Sequence, residues 1–482
     1  MRADPQFRYE ELAAFITRMV DNGTLRPGSR APSVREIGRQ HRASLTTVLQ
    51  AYRLLEDRGV LEARPRSGFF VSARPRVRLP EPAMSQPPQV PGEVSISNLV
   101  MELFERAGDP SMAPLGCAVP DASLLATGGL DRLLARAART QGKRYNGYTQ
   151  LRGDPQLRQE IARRAMRVGQ ALDPDEMIIT CGCTEALNLA LRAVATPGDT
   201  IAIESPTYFG LLHLIEALGL KVLELPTHAD TGIDLDALRQ ALGHGGIKAC
   251  LFASSFNNPL GCTIPESRKL AILDLLARHE VPLIEDDIYG EIYFGAERPR
   301  PFITLANDRD VIYCSSFSKT LAPGYRVGWL AAGARMSQLL MAKLTTSLCG
   351  PALPQVALAG FLSGGGYDAH LRRLRRQFED NIERMRRGIQ SLFPAGTRVS
   401  NPAGGFVLWL ELPAALDCRA LFERALAEGV CFAPGDLFAA SGRYRHCLRL
   451  SCGHPWSEPI ENALATLAGL VEAEMTKARS AA

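Results

Sequence analysis

The sequence predicts an α/β chain in two parts: a small winged helix-turn-helix at the N-terminus and, behind it, a large domain with a mostly parallel sheet. Three observations carry this. Apolar strand candidates at 178–180, 200–203, 222–225, 249–253, 281–285, 311–315 and 327–331 alternate with helical segments. That is the pattern of a parallel sheet covered by helices. Residues 1–78 hold 15 arginines, no lysine and 8 acids, a net +7, while the other 40 basic and 43 acidic residues leave −3. Six prolines, at 75, 80, 82, 87, 88 and 91, fall within 74–97, which reads as a partly extended linker without a core of its own.

The N-terminal elements follow in order. Leu12, Phe15, Ile16, Met19 and Val20 recur at helical spacing over 7–20, and Leu25-Arg26-Pro27-Gly28 breaks that helix. Ser33-Val34-Arg35-Glu36 has the S-x-x-E form of a capping box and starts a second helix. Ser44 caps a third, whose inner face is Val48, Tyr52, Leu54 and Leu55, and Gly59 ends it. Two short strands, 60–63 and 68–71, then flank Arg64-Pro65-Arg66-Ser67, which bounds this domain at 1–73. A concentrated positive charge on such a module suits phosphates, although a solvated basic face has the same composition.

The stretch 25–36 resembles the GntR family of DNA-binding domains. The resemblance implies that the third helix enters the major groove of an operator by its N-terminal end, while the wing touches the backbone. Ser44, Thr46 and Thr47 would then lie at the groove, Arg35 would contact DNA from the second helix, and Arg64 and Arg66 would sit on the wing. One residue departs from the pattern. Leu45 stands where many members carry a base-reading arginine, and leucine cannot make the bidentate pairing with guanine.

In the large domain, 98–482, the most informative stretch is Ser315-Ser316-Phe317-Ser318-Lys319 through Arg326. It follows the apolar run Val311-Ile312-Tyr313-Cys314. A lysine there can form a Schiff base with an aldehyde, while hydroxyls and a guanidinium hold a phosphate, so both ends of pyridoxal 5'-phosphate (PLP) are provided for. Val281–Tyr289 is an apolar strand ending in acids, as a partner for the pyridine nitrogen requires. Ile178–Leu187 reads as strand, tight turn and helix start, a phosphate-binding arrangement. Taken singly, an acid pair also caps helices, Asn-Pro marks a turn, and a tyrosine or a strand arginine has ordinary structural uses.

Their order along the chain resembles the fold-type I aminotransferases. That resemblance implies roles residue by residue. Lys319 would carry the cofactor, Asp286 would meet the ring nitrogen, and Tyr289 and Asn258 the phenolic oxygen. Tyr208 would stack on the ring. The Cys183 and Thr184 amides, Ser316 and Arg326 would hold the phosphate, joined by Tyr148 from a neighbouring subunit. Arg449, in a smaller C-terminal α+β part from about 398, would bind a substrate carboxylate, for which its planar fork is suited.

A GntR domain followed by an aminotransferase-like domain resembles the MocR/GabR group of transcription regulators. This implies a homodimer, head-to-tail, in which Schiff-base exchange at Lys319 senses an amine or amino acid and alters operator binding. The rival reading is an active amino-acid aminotransferase carrying a DNA-binding domain. A racemase or lyase fits less well, because nothing singles out a second proton-transferring group. The 11 cysteines are scattered, without Cys-x-x-Cys zinc spacing, which suggests buried thiols in a reducing cytoplasm and no metal. No apolar run is long enough to span a bilayer, and the charged start lacks a signal-peptide core.

Overall fold

Leu12, Ala13 and Ile16 share one face of helix Pro5–Asp21, and that face is buried against Val48, Ala51, Tyr52 and Leu55 of helix Leu45–Asp57. The computed structural model describes residues 5–21, 24–26, 28–41, 43–57, 60–64, 67–72, 79–94, 99–107, 109–167, 169–307 and 309–481. They fall in two units, Met1–Arg78 and Leu79–Ala482.

In the first unit, helix Val34–Gln40 begins at the expected capping box. Glu36 N donates to Ser33 Oγ (3.2 Å) and Ser33 N to Glu36 Oε2 (3.4 Å). Strands Leu61–Arg64 and Gly68–Val71 form the antiparallel wing, and Tyr52 ties the third helix to the chain before the second through Pro32 O (2.7 Å). The sequence showed only a break at 25–28. In the structure the residues after it form a third edge of the wing: Gly28 N donates to Val71 O (2.9 Å), Val71 N to Ser29 O (2.8 Å) and Ala31 N to Phe69 O (2.9 Å). Four residues are too few for alternation to register.

In the second unit all seven strand candidates enter one sheet. Its order is Met177–Thr180, Gly328–Ala331, Val311–Ser316, Leu283–Asp286, Ile247–Ala253, Thr200–Ser205, Lys221–His228, with the two-residue Gly232–Ile233 added at the edge. The five strands from Val311–Ser316 to Lys221–His228 are parallel; Gly328–Ala331 runs antiparallel to both its neighbours. The connection 317–327, which carries Lys319 and Arg326, therefore joins the two adjacent ends of an antiparallel pair, where Ser316 faces Gly328.

The C-terminal part is a four-stranded antiparallel sheet of Arg398–Val399, Val407–Glu411, Cys447–Ser451 and Ala433–Pro434. Its core also takes in Val100, Leu103 and Leu115 from the start of the unit and Leu374 and Phe378 from helix Gly366–Leu392. Residues 79–94, within the proline-rich stretch, lie along the unit. Val399 N donates to Pro80 O (2.8 Å), Ala83 N to Glu411 Oε2 (2.8 Å), Thr227 N to Ser85 Oγ (2.8 Å), and Gly92 pairs with Val222. All eleven cysteines are free and eight are buried. Among the described residues no helix is long and apolar enough to cross a membrane.

Candidate functional site

A cavity of about 200 Å³ opens at the carboxyl ends of the parallel strands, where such sheets bind ligands. The strands dictate its floor. Asp286 ends Leu283–Asp286, in register with Cys314 on one side and Ala253 on the other. Its carboxylate accepts from Ile288 N (3.1 Å) and from Cys183 Sγ (3.5 Å). Burial pushes its pKa up to about 6, so it stays ionised at neutral pH.

Lys319 reaches into the same cavity. Its Nζ donates to Ala118 O (2.6 Å) and lies 6.0 Å from the Tyr289 ring centroid. Burial, aided by the positive Arg449, lowers its pKa to about 8. Tyr289 is buried, which raises its pKa, and it interacts with the Asn258 side chain. Asn258 Oδ1 itself has no partner among the described residues. Tyr208 stands at the start of helix Phe209–Ala217 and forms a wall, its pKa pushed up to about 12 by burial.

At the other end, helix Cys183–Val194 presents its first turn, with Thr184 on the cavity wall. The approach is close enough to demand glycine twice. Gly182 has φ +82°, and a Cβ there would run into the Arg326 guanidinium. A Cβ on Gly328 would lie 2.6 Å from Gly182 C and 2.9 Å from Cys183 N. Arg326 Nη2 donates to Cys181 O (3.0 Å), which holds the guanidinium beside the helix start. The hydroxyls divide differently from expectation. Ser316 Oγ is engaged with Val327 O (2.9 Å), Ser318 N (3.1 Å) and Ser318 Oγ (2.8 Å), and it is Ser318 that lines the cavity.

Arg449 arrives from strand Cys447–Ser451 and is buried, with 1% of its surface exposed. It donates to Gly116 O, its Nε has no partner, and no carboxylate pairs with it among the described residues. Burial lowers its pKa. An unpaired buried guanidinium is costly, which makes this an anion-seeking group. Tyr148 is 88% exposed and lines no part of the cavity of its own chain.

Some residues of the site gave no sequence signal. Lys343, itself buried, bonds Glu185 Oε1 (3.0 Å), and Glu185 in turn accepts from Cys181 N, bracing the turn before the helix. Glu204 is buried on the cavity wall and pushed up to about 8 by burial. Their partners lie far away in sequence, so no local spacing marks them.

On the first unit, Arg35 and Thr46 are exposed. Ser44 caps its helix through Thr47 N (3.1 Å) and shares a hydrogen bond with Thr47 Oγ1 (2.7 Å), so these two hydroxyls are already engaged. Arg64 lies over the Phe70 ring at 4.3 Å and 3.5 Å from Glu62. Arg66 lies outside the described residues.

Fold and site together define an aminotransferase-like domain joined to a small helix-turn-helix domain with a wing. Residues 124–467 match the family model for aminotransferase class I and II, and residues 8–71 that for bacterial regulatory proteins of the gntR family. An uncharacterized HTH-type transcriptional regulator of Escherichia coli K12, YjiR, is 38% identical over 95% of this chain and 97% of its own length. A second from the same organism, YdcR, is 37% identical over 96% and 99%. Among solved structures, the α-aminoadipate aminotransferase LysN of Thermus thermophilus, complexed with N-(5'-phosphopyridoxyl)-L-leucine, matches with a TM-score of 0.73 and 29% identity, covering 79% of this chain and 96% of that one. The chain belongs to the MocR-like family of transcriptional regulators, in which a GntR helix-turn-helix domain is fused to a class I and II aminotransferase domain.

Proposed function

We propose that this regulator binds PLP at Lys319 and changes its DNA binding when an amine or amino acid reaches that site. The observation that carries the reading is the buried, unpaired Arg449 sharing a cavity with Lys319 and Asp286. The residues fit the cofactor group by group. Asp286 suits a protonated ring nitrogen, the Tyr289 hydroxyl and the Asn258 side-chain amide N–H suit the phenolic oxygen as donors, and Tyr208 suits the ring face. The Cys183 and Thr184 amides with Arg326 suit the phosphate, with Ser318 or a reoriented Ser316 adding a hydroxyl. Tyr148, exposed here, suits the phosphate of a partner's site in a head-to-tail homodimer.

PLP supplies an aldehyde that condenses reversibly with primary amines and a ring that withdraws electrons. The chain's own residues do the rest. The lowered pKa of Lys319 keeps a larger share of its amine neutral and reactive near pH 7. Arg449 orients an α-carboxylate by a planar, two-pronged contact. Ala118 O holds the lysine Nζ at the cavity wall. For regulation, the effector must favour one dimer geometry over another, since equal affinity for both shifts nothing.

The second reading, an active aminotransferase, is favoured by the same lysine. An Nζ whose pKa is lowered to about 8, in the same cavity as a buried carboxylate, is equipped to move a proton, and LysN is an aminotransferase. One comparison separates these readings. Lys319→Ala should lose borohydride-fixable PLP and all response to amines, yet keep most of its DNA affinity. If that variant still answered amines, the sensing model would be wrong. Stoichiometric release of a 2-oxo acid from wild type would establish the enzyme.

A further inference from the structure

The cavity carries information about what enters it. Its charged lining residues are Glu204, Asp286, Lys319, Arg326 and Arg449. Each already has a task or a neutralising environment. Asp286, Lys319, Arg326 and Arg449 serve the cofactor and the α-carboxylate in the reading above. Glu204 accepts from Ala253 N (2.9 Å) and Asn257 Nδ2 (3.2 Å), and burial keeps it largely protonated at neutral pH. Among the described residues lining the cavity, no charged side chain is left for a second charged group on the ligand.

The wall beside Lys319 and Arg449 is apolar. Segment 116–119 runs between them: Gly116 O takes the Arg449 guanidinium and Ala118 O the Lys319 amine. The side chains of Cys117, Ala118 and Val119 line the cavity there, with Phe104 and Phe209. Phe104 meets Phe209 edge to face at 5.9 Å, and Phe209 meets Phe438 at 5.3 Å. Phe438 lies 5.6 Å from the Arg449 guanidinium, so this aromatic row leads outward from the carboxylate-binding end. Phe104 and Val119 are 51% and 43% exposed, so their apolar surface is open to a ligand at the cavity mouth.

We propose that the effector is an α-amino acid with an uncharged, apolar side chain, and that Phe104 and Val119 are the residues that select it. This rests on the PLP-sensing reading above and narrows it. A charged side chain entering this wall loses its hydration and meets no free charged partner among the described lining residues of this chain, whereas an apolar one replaces water on Phe104, Val119 and Phe209. Dicarboxylic and basic amino acids are disfavoured on that ground; ω-amino acids are disfavoured on another, because they lack the α-carboxylate that Arg449 fits.

The test uses the full-length, PLP-loaded protein, titrated with leucine, phenylalanine, alanine, glutamate, lysine and 4-aminobutyrate. Binding is read by the absorbance of the cofactor and by calorimetry. Leucine and phenylalanine should bind roughly tenfold to a hundredfold tighter than alanine, the range set by burying one such side chain. Glutamate, lysine and 4-aminobutyrate should bind more weakly than alanine. Phe104→Ala, and independently Val119→Ser, should bring leucine's affinity down towards alanine's. Tightest binding of a charged or ω-amino acid would overturn the inference, as would an unaltered leucine-to-alanine ratio in both variants. A protein that took up no PLP, or whose cofactor ignored every amino acid, would instead refute the sensing reading, and this inference with it.

Discussion

The titration of Lys319 is the sharpest consequence of the site geometry. Burial and the positive Arg449 together lower its pKa from 10.5 to about 8. At pH 7 the neutral fraction is then roughly one tenth, against roughly three parts in ten thousand for an ordinary lysine, a difference of about 300-fold in reactive amine. Cofactor-free protein mixed with PLP and quenched with borohydride should fix pyridoxyl on Lys319. Its rate, normalised to Nα-acetyl-lysine at each pH to remove PLP's own ionisations, should be most favourable at low pH. The unnormalised rate should rise about tenfold per pH unit below 8 and level off above it. Arg449→Met removes the second contribution, so its midpoint should move upward. A wild-type midpoint near that of free lysine, or one unmoved by Arg449→Met, would refute the argument that burial and Arg449 tune this amine.

Four further outcomes follow from the same structure. Gly182→Ala should lower thermal stability by the equivalent of roughly 1–3 kcal/mol for its positive-φ backbone and weaken PLP affinity by displacing Arg326; unchanged PLP affinity would contradict the close approach seen at 182. Mixed dimers of Lys319→Ala and Tyr148→Phe chains should recover one fully functional site per dimer if Tyr148 serves its partner, and none if it acts at home, as spectral titration of the purified heterodimer will show. Arg35→Ala combined with Arg66→Ala should reduce the slope of log K against log salt by roughly 0.9 for each phosphate no longer neutralised, and an unaltered slope would remove both residues from the DNA interface. Leu45, 53% exposed on its helix, should yield to Leu45→Arg with selected DNA sites gaining guanine at one position per half-site; selections identical to wild type would place Leu45 away from the bases.

Much of the site was legible because its chemistry is written locally. Lys319 and Arg326 stand seven residues apart on one connection, and the hairpin-like pairing of Ser316 with Gly328 brings that connection over the sheet end. Asp286 was readable for a similar reason: an apolar run followed by acids places carboxylates where the strand ends, and Asp286 is its last residue. The hydroxyls were less readable. Ser316 and Ser318 are equivalent in composition, and only the direction of the chain after the strand decides which of them faces the cavity.

By itself the sequence determined the two-domain plan, the seven strands of the sheet and the residues at their ends, since each depends on spacing over a few positions. It could not determine what distant segments do to one another. Arg449 and Lys319 lie 130 positions apart, and their shared dependence on Gly116 and Ala118 exists only once the small sheet closes on the start of the unit. The same holds for Lys343 bracing Glu185 and for Phe104 reaching the cavity mouth. A pKa, an unpaired guanidinium and an apolar wall are properties of a surrounding, and only the tertiary structure brings those surroundings together.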